Sequence, residues 1–127
     1  MMADLRLQEN GRDVKLRGEY VRNTRHGEVR VPDEFVSDGA SIPWWVWLIP
    51  GMVFLFPRWG KHQWGVVLHD FGYRENPYGW TRHQWDEVML DAMLEDGTPK
   101  ARAVTMYRAV RAGAGGVWKR CRKGARK

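Results

Sequence analysis

The segment HDFGYRENPYGWTRHQWDEV, residues 69–88, decides how the C-terminal half of the chain folds. His69 and Tyr73 are four residues apart, so they share one face if this part is helical. The seven-residue link NPYGWTR, residues 76–82, is rich in turn formers and short enough to predict two helices packed antiparallel. Asp86 then lies on the second helix. The segment therefore predicts a helical hairpin that brings a histidine, a tyrosine and an aspartate together.

Periodicity and end signals predict three helices in this half, which begin near Lys61, Thr81 and Thr98. The second helix starts with a capping box, in which Thr81 is the N-cap and Gln84 stands three residues later. It ends at Gly97, a residue suited to the left-handed position after a helix. In the third helix Thr98 is the predicted N-cap and Pro99 the first helical residue, and the sequence GAGG ends it.

The N-terminal part of the chain predicts strands. Residues 12–36 alternate between apolar and polar side chains, RNTRHGE supplies a turn, and Pro32 restricts the second strand to an edge or an end. A short third element, EFV, leads into the loop SDGASIP at residues 37–43. This order predicts an α+β fold, with a small antiparallel β-sheet, a Trp-rich connection and a three-helix C-terminal half. We expect a single domain over residues 1–118 and a basic tail over 119–127.

The Trp-rich connection is the stretch IPWWVWLIPGMVFLF, residues 42–56, which contains no charged residue. It is too short for a standard transmembrane helix, and a Pro-Gly pair interrupts it. One interpretation is that it is buried and closes the core. The other is an exposed apolar surface at Trp44, Trp45 and Trp47 that contacts a membrane or a partner protein, because tryptophan favours such boundaries.

The composition, 43% hydrophobic and 28% charged residues, is that of a globular protein. The single cysteine, Cys121, cannot form an internal disulfide, which favours a reducing compartment. The start, MMADLRLQEN, lacks the apolar region of a signal peptide, so we expect none, and no transmembrane helix is predicted either.

The net charge of +6 is concentrated at the C-terminus. Residues 113–127 contain six basic residues and no acid, whereas residues 1–112 contain 15 of each sign. One interpretation is a solvated end that aids solubility. The other is weak, nonspecific binding of the tail to a polyanion through phosphate contacts.

The polar residues of the helical hairpin suggest hydrolytic chemistry. His69 can act as a general base and Asp86 can orient its ring. Asp70 points about 100° away from His69 around the helix and would serve a different task. A hard cation such as calcium, held by Asp70 and by the loop that contains Asp38 and Gly39, is the natural candidate, because Gly39 lets the backbone approach closely.

Two other interpretations remain open for the same residues. A histidine, a tyrosine and two aspartates on facing helices can form a satisfied buried network that fixes packing without turnover. A zinc site is the other, and its ligands would be His62, His69, His83 and Asp86.

The chain resembles a family of short phage and prophage proteins of unassigned function. The resemblance rests on DGASIP at 38–43, HDFGY at 69–73, WDEVMLDAM at 85–93 and YRAVRAGAGGVW at 107–118. Members of that family usually have alanine where this chain has Trp85. The resemblance implies an accessory or virion-associated protein, located in the virion or the host cytoplasm, with phage structural or assembly proteins as partners.

The motif HD-x-x-Y followed by an aspartate on a helix is also similar to the core of calcium-dependent phospholipase A2 enzymes. That similarity implies that His69 activates water, Asp70 binds calcium, and Tyr73 and Asp86 support His69. SDGAS differs from the glycine-rich calcium loop of those enzymes, and strands precede it here where those enzymes have a helix. The implied activity is hydrolysis of lipids of the host envelope.

Overall fold

The structure, a computed structural model, describes residues 4–7, 14–37 and 63–125. The strands are β1 (Asp4–Leu7), β2 (Val14–Arg17), β3 (Tyr20–Thr24), β4 (Gly27–Val31) and β5 (Val36–Ser37). The helices are α1 (Gln63–Arg74), α2 (Arg82–Glu95), α3 (Lys100–Gly113) and α4 (Gly115–Ala125). Strands precede helices throughout the described ranges, so the predicted α+β class is confirmed.

The strands form two separate antiparallel sheets. β2 lies between β1 and β5 in a three-stranded sheet, whereas β3 and β4 form a two-stranded hairpin. The predicted turn closes this hairpin, and β4 ends at Val31, directly before Pro32. The pairing of Val14 with Ser37 fixes the end of β5 against the central strand.

The core lies between the sheets and the helices. Every second residue of β2 and β4 is buried, as the alternation predicts: Val14, Leu16, Val29 and Val31. The helices contribute long apolar side chains, and Trp85 of α2 is the largest fully buried side chain among the described residues. The structure describes none of residues 38–62, so the predictions for Trp44, Trp45 and Trp47 lie outside the described residues.

Helix α2 begins and ends as predicted. The Thr81 hydroxyl accepts a bond from the Gln84 backbone N–H, and the Gln84 side chain accepts one from the Thr81 N–H. At the other end Gly97 has a φ of 96°. The N–H of Gly97 bonds to Leu94 O, and the N–H of Thr98 bonds to Met93 O, which is the Schellman pattern.

The prediction that Thr98 caps α3 is wrong. Pro99 occupies the N-cap position and no side chain caps the helix. The reason is that Thr98 already serves α2, since its N–H closes the Schellman motif and its side chain is buried. Its Oγ1 has no hydrogen-bond partner among the described residues.

The chain adds a fourth helix that the predicted three-helix half did not include. Ala114 separates α3 from α4, which runs through residues 115–125 and so into the segment expected to be a tail. Val117 and Trp118 pack against the core, and Arg122 donates hydrogen bonds to the carbonyls of Tyr73 and Arg74 at the end of α1. Packing of this face outweighs the low helix propensity of the glycines.

The β3–β4 hairpin is held against α2 by ion pairs. Arg22 bonds to Glu95 and Asp96 of the last turn of α2 and its C-cap. At the hairpin turn, Arg25 pairs with Glu87 at 2.7 Å and with Asp91 at 2.6 Å. The acidic face of α2 is therefore occupied by basic residues of the hairpin.

Within the described ranges, none of the helices combines the length and the apolar character that crossing a membrane requires.

Candidate functional site

Two glycines let α1 and α2 approach closely. A Cβ added at Gly65 would lie 2.9 Å from the carbonyl oxygen of Met89, and one added at Gly72 would overlap the indole of Trp85. As the chain advances from Gly65 to Gly72 on α1, its partner on α2 moves back from Met89 to Trp85, so the two helices run antiparallel. His69 lies between the glycines on this seam and is therefore close enough to reach α2.

The link between the helices is organised by one side chain. The Asn76 carboxamide accepts a bond from the Trp80 N–H at 3.0 Å and donates one to the Trp80 carbonyl at 3.0 Å. Its oxygen also accepts a bond from the Trp85 indole N–H at 2.8 Å. These bonds close the link into a compact turn and fix Trp85 next to the site, which sets the register of α2 against α1.

Asp86 is the centre of the site. Its Oδ1 lies 2.6 Å from His69 Nε2 and accepts a hydrogen bond from the Tyr73 hydroxyl at 2.7 Å. Its Oδ2 accepts a bond from Arg111 at 2.9 Å. The predicted direct contact between His69 and Asp86 is confirmed. Both side chains are completely buried, and Arg111, with 36% of its side chain exposed, is the member of the group that reaches solvent.

The electrostatics follow from this geometry. Burial raises the pKa of the Asp86 carboxyl, but the hydrogen bonds from its partners lower it by more, so the pKa lies below its usual value. Burial, together with the neighbouring carboxylate, raises the pKa of the Tyr73 hydroxyl. Asp86 is therefore ionised and Tyr73 is a neutral donor at neutral pH.

Sequence reasoning assigned no role to two arginines that complete the site. Arg111 pairs with Asp86, and Arg82 donates to the Tyr73 hydroxyl at 3.1 Å and to the carbonyls of Val110 and Arg111. Arg111 is the last residue of the segment YRAVR, so the motif contained the signal. Arg82 carried no comparable signal, because its role depends on where α3 ends in space.

Asp70 belongs to a second, neighbouring contact. The Ser37 hydroxyl at the end of β5 donates to Asp70 Oδ2 at 2.5 Å, and both side chains are buried. Ser37 opens the SDGAS loop that was predicted to help bind calcium. Asp38 and Gly39 lie outside the described residues, so a calcium site formed by them and Asp70 stays a prediction.

The zinc interpretation receives no support from the described residues. His83 is exposed and its Nε2 lies 3.0 Å from the Tyr107 hydroxyl, away from the contacts of Asp86. The part of the chain that the structure describes contains no group of three or more His, Cys, Asp or Glu side chains placed to hold a metal. His62 lies outside that part.

A family model described as "Protein of unknown function (DUF1353)" matches residues 14–110. The chain belongs to the DUF1353 family. The matched range contains His69, Asp70, Tyr73 and Asp86, ends one residue before Arg111, and excludes α4. Neither the curated proteins nor the solved structures give a match to this chain. The expected membership in a family of unknown function is thus confirmed, whereas the phage association stays a prediction.

The described residues at the site of this DUF1353 protein form a buried polar network. An ionised Asp86 is held by an imidazole, a phenol and a guanidinium. Asp70, which follows His69 on α1, accepts a bond from Ser37 of β5. A general base must come within hydrogen-bond reach of the substrate proton that it removes. The His69 side chain has no exposed surface in this arrangement.

Proposed function

We propose that this DUF1353 protein is an accessory or virion-associated protein of a phage or prophage, and that its His-Asp-Tyr network has a structural role. The phage assignment is supported by the resemblance in the segments DGASIP, HDFGY and YRAVR. The structural role is supported by one observation above all. The Asp86 carboxylate has both oxygens satisfied and no exposure to solvent.

The charges of the network also support a structural role. The single negative charge of Asp86 is balanced by the guanidinium of Arg111 at 2.9 Å. Loss of Arg111 would leave the buried Asp86 carboxylate without its ionic partner, which is costly. The pair therefore ties α2 to α3.

The partners under this proposal are structural or assembly proteins of the particle, and the protein resides in the virion or the host cytoplasm. Mass spectrometry of purified particles tests it, after the phage or prophage that encodes the chain has been induced. We expect the protein to be present in the particles, or its gene deletion to lower the yield of complete particles. The proposal would be contradicted if the protein is absent from the particles and deletion of its gene leaves the particle yield unchanged.

A second candidate function is calcium-dependent, phospholipase A2-like hydrolysis of the host envelope. The observation that favours it is that His69 and Tyr73 meet the same oxygen of Asp86, as the motif similarity implies. In this alternative His69 activates water, Tyr73 and Asp86 support it, and calcium is held by Asp70, Asp38 and Gly39. Trp44, Trp45 and Trp47 would supply the membrane contact.

Substitution of His69 by alanine distinguishes the two functions. If the network is structural, the parent protein cleaves no phospholipid in calcium, and the variant loses about 1–3 kcal/mol of stability because buried polar partners lose a bond. His83→Ala is the matched control, because His83 is exposed and we expect a change within about 0.5 kcal/mol. Calcium-dependent cleavage that disappears in His69→Ala and persists in His83→Ala would instead establish the hydrolase.

A further inference from the structure

The charge of this protein is divided between its two parts more sharply than the basic tail alone suggests. Residues 97–127 contain 10 of the 21 lysines and arginines and no acid. Residues 1–96 contain the other 11 and all 15 acids, so they carry a net negative charge. The boundary falls at the start of α3, so both C-terminal helices belong to the basic part.

The ion pairs of the fold leave this basic part largely uncompensated. Glu87, Asp91 and Glu95 on α2 all pair with basic residues of the β3–β4 hairpin. On the two C-terminal helices, only Arg111 has an acidic partner within the described ranges. Arg122 donates to backbone carbonyls at the end of α1. The other cations of these two helices whose described side chains form no ion pair with any described residue are Lys100, Arg102, Arg108, Lys119 and Arg120.

Helix α4 directs Trp118 toward the core and leaves its basic neighbours Lys119 and Arg120 exposed. Trp118 lies inward, with its ring 5.2 Å from that of Tyr73 at an interplanar angle of 77°, and Arg122 lies over the Trp118 ring. Lys119 and Arg120 follow Trp118 directly and are exposed. The large apolar residues that are exposed within the described ranges, Val21, Tyr78 and Leu94, all lie outside α3 and α4.

We propose that α3 and α4 form a binding surface for the phosphate backbone of double-stranded nucleic acid. Five uncompensated cations on consecutive helices suit a densely and regularly charged polyanion, and the release of its counterions drives binding. A membrane-surface helix would direct apolar side chains outward to enter the bilayer, whereas α4 turns Val117 and Trp118 toward the core. With no exposed aromatic side chain on these helices in the described ranges, the surface contacts phosphates and reads no bases.

Fluorescence anisotropy tests this surface. It measures the binding of the full chain to a 30-base-pair duplex of arbitrary sequence over a range of salt concentrations. The variant Lys119→Gln/Arg120→Gln removes exposed charges without removing the packing of Trp118, which a truncation would lose. We expect affinity at 0.1 M salt to fall by at least about tenfold, and the slope of log K against log salt to decrease by about 2, since each phosphate contact contributes about 0.9.

The matched control is Arg17→Gln/Arg30→Gln, which removes the same charge from exposed positions on β2 and β4. We expect this control to keep the parent affinity within about twofold, because screening confines the effect of exposed charges to about 10 Å at 0.1 M salt. Equal losses in both variants would overturn the proposal, because only net charge would then matter. Absence of binding by the parent at low salt would also overturn it. A third result would overturn it as well. In that result the protein binds vesicles with 30% phosphatidylglycerol in a salt-sensitive way, and the α4 variant loses vesicle binding but keeps duplex binding.

Discussion

Replacing Asp86 by alanine is expected to lower the free energy of unfolding by about 3–5 kcal/mol, the usual cost of removing one partner from a buried ion pair. The carboxylate is fully buried and accepts bonds from His69, Tyr73 and Arg111. Its removal leaves the buried His69 and Tyr73 without this acceptor, and Arg111 without its acidic partner. Because a domain of this size is stable by only about 5–15 kcal/mol, the loss is a large fraction of the total.

Chemical denaturation of the Asp86→Ala variant measures this loss, and Asp91→Ala is its matched control. Asp91 lies on the same helix and also accepts bonds from an arginine, Arg25. The Arg25 side chain, however, is 48% exposed. An exposed ion pair contributes about 0–1 kcal/mol. A loss at Asp86 no larger than the loss at Asp91 would contradict the central role of Asp86 in the network.

The stability difference between the parent and Asp86→Ala is also expected to depend on pH. The pKa of Asp86 is lowered in the folded state, so its contribution is complete above the unfolded pKa of about 3.9 and is lost as the pH falls toward the folded pKa. We expect the stability difference between parent and Asp86→Ala to be greatest at neutral pH and to shrink below about pH 4. A stability difference that grows as the pH falls would contradict this prediction.

Gly72→Ala is expected to cost about 3 kcal/mol, the upper end of the usual cost of overpacking. The added Cβ would overlap the indole of Trp85, which is completely buried and fixed by its hydrogen bond to Asn76. Relief of the overlap requires α1 and α2 to separate, and this separation also stretches the contact between His69 and Asp86. Thermal or urea unfolding of the variant measures the effect.

Gly116→Ala provides a control of opposite sign. Gly116 is exposed in α4 and a Cβ there would meet nothing within 4 Å, so alanine should raise the free energy of unfolding by up to about 1 kcal/mol.

A second variant tests the cause of the loss in Gly72→Ala. In a Trp85→Leu background the clash is removed, so Gly72→Ala should cost much less than in the parent. An unchanged cost in that background would place the origin of the effect elsewhere.

Local sequence signals predicted the part of the site that lies on the helical hairpin. A short link and a capping box determined where α1 ends and α2 begins, and these limits were sufficient to place His69 opposite Asp86. Both signals act over a few residues, so no knowledge of the remaining fold was needed. The family resemblance added YRAVR, whose last residue, Arg111, proved to be the ionic partner of Asp86.

The remaining features depend on contacts between distant segments, and the sequence did not reveal them. Ser37 reaches Asp70 only because β5 pairs with the central strand of the sheet. Helix α4 begins with a glycine pair that predicts a break, and it forms against Tyr73 through Trp118. Thr98 resembles an N-cap in sequence, but its N–H is already used by α2. In each case tertiary packing outweighs local propensity.

The ion pairs between the β3–β4 hairpin and α2 also have a consequence for the order of folding. The bond from Arg25 to Glu87 joins residues 62 positions apart, whereas that from His69 to Asp86 joins residues 17 positions apart. Closing the longer loop costs more chain entropy before any contact compensates for it, and contacts between distant positions slow folding. A two-stranded hairpin is marginal by itself. We therefore expect the helix pair to form the nucleus and the hairpin to gain its stability late, after α2 offers its carboxylates.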